Sequence, residues 1–106
     1  TPVTDIPGGL LAACTKLRNV SQIFYECNHL TGIPNLLFDS NKDIIQFGNA
    51  FRGCTSLQGS SPSGSDGLKL WERAGQPGYP AGINGEQCFR NCTGLDDYDT
   101  IPSNWK

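Results

Sequence analysis

The sequence lacks most of what long helices, nucleic-acid binding or membrane insertion require. Methionine is absent from its 106 residues and glutamate is scarce, so long α-helices are not expected. The net charge is -2 at pH 7 and the lysines and arginines are scattered, which argues against nucleic acids and anionic membrane surfaces as partners. No apolar run approaches the roughly 18 residues that a transmembrane helix needs, so we do not predict membrane insertion.

Residues suited to catalysis or metal binding are also sparse. His29 is the single histidine, and no C-x-x-C pair or phosphate-binding loop occurs. We expect His29 to point outward and Cys27 inward, which excludes a nucleophile–base pair because the two side chains must reach each other. For the acidic group Asp96, Asp97 and Asp99 we expect a solvated loop, since a calcium site needs more oxygen ligands. The sequence therefore predicts a protein that is not an enzyme and uses no metal or cofactor.

What the sequence does contain is an internal repeat with a period of 27 residues. Ile6-Pro7 recurs as Ile33-Pro34, and Leu10-Leu11 recurs as Leu37-Phe38. The other pairs with this spacing are Leu17 and Ile44, Val20 and Phe47, Ile23-Phe24 and Ala50-Phe51, and Cys27 and Cys54. A fixed period in the twenties is typical of a solenoid, in which each coil buries its apolar face against the next.

A third copy of the repeat is lengthened by two insertions. The string CFRNCTGL at 88–95 matches AFRGCTSL at 50–57 with an offset of 38 residues instead of 27. The extra residues fall in a Ser/Gly-rich stretch at 60–67 and within a Gly/Pro-rich stretch at 75–82. Such residues favour turns over regular elements, so we expect loops at both places.

These offsets predict a single α/β solenoid domain over residues 1–106. Its coils are 6–32, 33–59 and 60–106, the last being an irregular capping coil with Trp105 over its final rung. Because residue 1 falls inside a coil, we also expect upstream repeats of the same protein to be partners of this chain.

Each coil contains two similar halves of 13 or 14 residues. The second half of the first coil reads Ile23-Phe24-x-x-Cys27-x-x-Leu30. Apolar residues at i, i+1 and i+4 fit one helical turn that faces inward. The apolar residues that follow fit an extended segment that adds a rung to a sheet. We therefore predict two short helical turns and two short strands in each coil.

Five cysteines are spread over the coils. Cys27, Cys54 and Cys92 share one repeat position, so we expect them on neighbouring rungs inside the stack. Cys88 falls at a core position, and Cys14 aligns with an asparagine, which suggests a semi-polar inward site. Buried thiols that pack as small apolar groups are the first expectation. A Cys27–Cys54 disulfide across two rungs stays open as an alternative.

Candidate binding residues lie on the predicted outer surface. Tyr25, Arg52 and Arg90 each follow the aromatic residue of the repeat in successive coils, so they should form an outward stripe. Tyr79 has no repeat equivalent and is a further candidate surface aromatic. Trp71 aligns with a core phenylalanine, and we expect it to be buried.

The repeat resembles a known family. The string Ala50-Phe51-Arg52-Gly53-Cys54-Thr55-Ser56-Leu57 is similar to the A-F-x-x-C-x-x-L core of the BspA-type leucine-rich repeats. Together with I-P-x-x-L-F, an L-W block and the closing I-P-S-N-W-K, it resembles the carboxy-terminal region of such bacterial surface proteins, from about Val3 to Lys106. The period here is longer than the family's usual unit, and the two insertions are further departures.

The resemblance implies a function as well as a fold. Members of this family are mostly known or suspected as adhesins, so it implies a secreted or cell-surface module that binds a protein or a glycan through its stacked face. The alternative is a structural carboxy-terminal cap of a longer solenoid, with no ligand of its own.

Overall fold

The computed structural model describes residues 4–106, and its regular secondary structure is limited to three short 3-10 helices. They span Leu70–Glu72, Tyr98–Thr100 and Ser103–Trp105. Over residues 4–106 no strand or α-helix forms. The predicted solenoid therefore stays a prediction, because a fold without strands neither establishes it nor rules it out.

Single bridges take the place of the predicted strands. Two parallel bridges join Asn19 to Gln46 and Gln46 to Asn84, and an antiparallel bridge joins Ser63 to Lys69. The two parallel bridges connect residues of three successive coils at spacings close to the repeat offsets. The three coils thus meet edge to edge along one line.

Overlapping β-turns replace the predicted helical turns. The amides of Ile23, Tyr25 and Cys27 each donate a hydrogen bond to the carbonyl three residues earlier. The amides at 50, 52 and 54 and at 88, 90 and 92 make the same bonds in the second and third coils. The local backbone of the first coil therefore recurs in the other two.

Left-handed residues shape these turns and recur with the same spacing. Gln22 has φ 61° and Glu26 has φ 56°, although residues other than glycine seldom adopt positive φ. Their equivalents are also left-handed, namely Asn49 and Gly53 in the second coil and Gln87 and Asn91 in the third. The backbone conformation, and not only the residue pattern, thus repeats at offsets of 27 and 38 residues.

Amides that do not form turns join neighbouring coils. Between the first and second coils the donor–acceptor pairs are Gln22–Gly48, Phe24–Ala50 and Glu26–Arg52, at 2.7 to 3.1 Å. Between the second and third coils they are Asn49–Glu86, Phe51–Cys88 and Gly53–Arg90. Along each segment, one N–H bonds within its coil and the next bonds across, so every donor is paired, as a buried backbone requires.

Side chains pair the remaining buried carbonyls. Asn41 is fully buried, and its Nδ2 donates to the carbonyls of Leu11 at 3.0 Å and Cys14 at 2.8 Å. One coil later, the buried Arg73 donates to the carbonyls of Phe38 at 2.9 Å and Asn41 at 3.0 Å. Since Phe38 and Asn41 are the repeat equivalents of Leu11 and Cys14, two different side chains perform the same task in successive coils.

A column of aromatic rings runs through the core. Phe24 stacks on Phe51 with ring centroids 5.4 Å apart, and Phe51 stacks on Phe89 at 5.5 Å with nearly parallel planes. These three residues share one repeat position, and their predicted place in the core is confirmed. Trp71 packs edge-on against Phe89 but is only half-buried, less than its alignment predicted.

The prediction that Ile23 faces inward is wrong. Ile23 is 38% exposed, whereas its equivalents Ala50 and Cys88 are fully buried. The cause is its position on the outer side of the first coil, which no other described residue covers. Phe24 is buried as expected, so the turn buries one face only.

Asp97 ties the first insertion to the third coil, in contrast to the solvated loop predicted for it. Its carboxylate accepts hydrogen bonds from the Ser61 amide at 3.0 Å and hydroxyl at 2.5 Å, and it lies 3.2 Å from Lys69 Nζ. Burial by itself would raise the pKa of Asp97, but the Ser61 hydrogen bonds and the Lys69 charge outweigh it and lower the pKa. Asp96 and Asp99 are exposed, as predicted.

We expect Asp97→Asn to lower the free energy of unfolding at neutral pH by about 1–3 kcal/mol, the usual size for a hydrogen bond to a charged group. The pKa of Asp97 is lower in the folded chain than in the unfolded one. Its stabilisation is therefore complete above the unfolded pKa and disappears as pH falls through the folded pKa. Urea unfolding of both proteins from neutral pH into acid measures this difference.

The exposed Asp99 provides the control, because Asp99→Asn removes the same charge without breaking a side-chain contact. A difference between Asp97→Asn and the parent that stays constant down to strongly acid pH would contradict the role given to the Asp97 carboxylate.

Candidate functional site

Tyr25, Arg52 and Arg90 lie on successive coils. The carbonyl of Arg52 accepts a hydrogen bond from Glu26, and the carbonyl of Arg90 accepts one from Gly53, so the three predicted residues follow one another across the inter-coil bonds. Tyr25 is 40% exposed, Arg90 is exposed and Arg52 is half-buried. We call this set the Tyr25–Arg52–Arg90 stripe.

The two arginines of the stripe differ in what holds them. Arg52 Nη1 donates to Gln87 Oε1 at 2.8 Å and to Asn49 Oδ1 at 3.3 Å. These two partners are left-handed residues of the second and third coils, so the turn geometry sets where their amides point. Arg90 makes no side-chain hydrogen bond or ion pair to any residue in 4–106. One guanidinium is thus held in place and the other is free to bind a ligand.

A polar cleft of about 460 Å³ opens beside Arg90. It lies between the third coil and the chain's last residues, where the Gln87 amide donates to the Asn104 carbonyl at 3.0 Å. Its lining consists of amide, hydroxyl and charged groups from Asn84, Glu86, Gln87, Arg90, Ser103, Asn104 and Lys106. Such groups can bind hydroxyls, carboxylates or peptide groups of a ligand.

Sequence reasoning did not find this cleft. Its far wall, residues 103–106, follows an irregular echo of the repeat at Ile101-Pro102, and the offset there gives no register against the third coil. Lys106 is fixed by a hydrogen bond from Nζ to the Tyr98 carbonyl at 3.2 Å and by its position 4.9 Å from the Tyr98 ring centroid. The order of the last residues thus comes from these contacts.

Tyr79 is not the free surface aromatic that the sequence suggested. Its hydroxyl donates to Asp66 Oδ2 at 2.5 Å and accepts from Lys42 Nζ at 3.2 Å. The ring lies 4.9 Å from the guanidinium carbon of the buried Arg73. The hydrogen bond from Tyr79 also lowers the pKa of Asp66. Tyr79 is half-buried and is occupied by contacts within the chain.

The cysteines are free thiols and serve the packing between coils. Cys54 Sγ donates to the Phe24 carbonyl at 3.0 Å, and Cys92 Sγ donates to the Phe51 carbonyl at 3.0 Å. Burial raises the pKa of Cys54 to about 11 and that of Cys92 to about 12. It raises the pKa of the fully buried Cys88 still further. These three are buried, as predicted.

The expectation of burial is wrong for the other two cysteines. Cys14 is exposed and Cys27 is half-buried, whereas the residues aligned with them in the second coil, Asn41 and Cys54, are fully buried. Both belong to the first coil, whose outer side is uncovered. His29 is exposed, as predicted.

No group of three metal-ligating side chains forms within the part of the chain that the structure describes. In the same residues no helix is both long and apolar enough to cross a lipid bilayer.

The chain matches no protein-family model, no curated protein and no solved structure. The resemblance to BspA-type repeats, which depends on short motifs, therefore stays a prediction.

Timed alkylation should modify Cys14 rapidly and Cys27 more slowly. We expect Cys54, Cys88 and Cys92 to stay unmodified until the protein unfolds, because they are buried and their raised pKa values disfavour the reactive thiolate. Mass spectrometry of the digested protein gives the rate for each site. A Cys27 that reacts only after reduction would instead indicate a disulfide with Cys54.

Proposed function

We propose that the chain is a non-catalytic recognition module that binds a protein or a glycan. Its binding surface is the Tyr25–Arg52–Arg90 stripe together with the adjoining polar cleft. The observation that supports it is the free guanidinium of Arg90 at the rim of that cleft. Placement in a secreted or cell-surface protein is part of the proposal and depends on the resemblance to BspA-type repeats alone.

Residue type and rigidity both favour this surface. Tyrosine and arginine contribute more than most residues to binding energy at protein interfaces. Arg52 is held by Gln87 and Asn49, so a ligand that meets it pays little conformational entropy to order it. The left-handed turns fix the backbone beneath the stripe.

Arg90→Ala should weaken binding to a ligand identified on protein and glycan arrays by about thirtyfold, the effect of losing a hot-spot residue of about 2 kcal/mol. The melting temperature should not change, because the Arg90 side chain has no partner among the described residues. Tyr25→Ala should act in the same direction. Binding is measured by surface plasmon resonance on the purified variants.

Arg18→Ala is the matched control, since Arg18 is exposed and lies outside the stripe and the cleft. Unchanged affinity in both Arg90→Ala and Tyr25→Ala would remove the stripe from the proposal.

A second role, as the terminal cap of a longer coil stack, is supported by Trp105. This residue is 6% exposed and packs against Phe47 at 5.7 Å and Trp71 at 6.4 Å between ring centroids. Its ring lies against Gly85 so closely that an added Cβ would overlap it. The Phe89 amide donates to the Trp105 carbonyl at 2.7 Å. The chain's last residues thus close the third coil with both apolar surface and hydrogen-bond acceptors.

Trp105→Ala is expected to lower the free energy of unfolding by about 3–5 kcal/mol, the usual cost of removing a buried tryptophan side chain. Hydrogen exchange at the Gln87 and Phe89 amides should accelerate, since both donate to this segment. Ser103→Ala, at an exposed neighbouring position, is the control. A loss of stability below about 1 kcal/mol would contradict the closing role of Trp105.

A further inference from the structure

We propose that the outer side of the first coil is an interface for one further coil of the same 27-residue pattern. This open side consists of the side chains of Leu10 and Ile23, the carbonyls of Ser21, Ile23 and Tyr25, and the thiols of Cys14 and Cys27. The inference deepens the capping role and depends on it only in naming what the cap would be joined to.

The first argument is a contrast in burial between equivalent residues. Leu10 is 48% exposed, whereas its equivalents Leu37 and Leu70 are 2% and 1% exposed. Ile23 shows the same contrast with the fully buried Ala50 and Cys88. A single exposed leucine is ordinary on a protein surface. Two apolar positions that are buried in both later coils and open only in the first mark a surface that a coil covers elsewhere.

The second argument is a row of carbonyls without donors. The carbonyls of Ser21, Ile23 and Tyr25 accept no hydrogen bond from residues 4–106. Their equivalents in the second coil, at 48, 50 and 52, each accept one from an amide of the first coil. Those in the third coil, at 86, 88 and 90, each accept one from the second. A partner for the open side must therefore offer N–H donors on every second residue.

The third argument concerns side-chain donors that point away from the second coil. Asn41 and Cys54 donate to carbonyls of the coil before their own. In the first coil the same positions are occupied by Cys14 and Cys27, whose thiols have no hydrogen-bond acceptor among residues 4–106. A preceding coil would present two or three peptide carbonyls at these thiols.

A second copy of this chain does not supply what the open side needs. Two open sides paired about a two-fold axis would place carbonyls against carbonyls, because the neighbouring amides are used within turns. The amides at the other end of the molecule are also occupied, since Gln87 and Phe89 donate to Asn104 and Trp105. Another coil in the same direction supplies both the apolar surface and the N–H groups.

The test inserts a second copy of residues 6–32 directly before Ile6 in the full chain, with Cys14→Ser and Cys27→Ser in the inserted copy. Only the original Cys14 and Cys27 then report on the open side. We expect both to be alkylated at least about tenfold more slowly than in the parent, since docking leaves them reactive only in opened states. Cys54, Cys88 and Cys92 report whether the protein is folded.

The control is an insertion of the same length and composition with its sequence scrambled, which should leave both thiols as reactive as in the parent. Equal reactivity in the repeat insertion, with the three buried thiols still protected, overturns the proposal. So does a parent that light scattering shows to be a dimer with both thiols shielded. The Trp105→Ala measurement addresses the opposite end, so the capping role and this interface can fail separately.

Discussion

The structure depends on how a chain without strands pairs its buried backbone. In each coil alternate amides close β-turns, and the amides between them donate to the next coil. This alternation fixes the distance and register between coils, and the register in turn brings Phe24, Phe51 and Phe89 into one column. A shift of one residue would exchange the two sets of amides and leave carbonyls unpaired in the interior, at a cost of about 1–3 kcal/mol each.

Arg73 shows how an irregular coil satisfies the same constraint. Its guanidinium is buried, and two carbonyls accept its hydrogen bonds in the absence of a direct carboxylate partner. Burial lowers its pKa, while the nearby Tyr79 and Asp66 act in the opposite direction. Tyr79 belongs to the second insertion and Asp66 to the first, so both insertions fold over the same cation. The third coil is therefore longer than the others and still closes the same gap.

The sequence predicts the parts of this molecule in which the repeat offset is constant. The buried Phe51 and Phe89, the thiols of Cys54 and Cys92 and the succession of Tyr25, Arg52 and Arg90 all follow from spacings of 27 and 38 residues. The contacts of Arg73, the Asp97 tie and the polar cleft were not predictable, because they join segments whose lengths differ from the repeat. Exposure of Ile23 was missed for another reason, since periodicity assigns a residue to a face but does not say whether a neighbour covers it.

The left-handed residues bear on how the chain folds. Gln22, Glu26, Asn49, Gln87 and Asn91 each hold a conformation that costs about 1–2 kcal/mol for a residue with a side chain. A coil in isolation has neither the inter-coil hydrogen bonds nor the phenylalanine column to offset that cost. The turns are therefore stable only when neighbouring coils form with them, which makes folding a cooperative event between segments far apart in the chain.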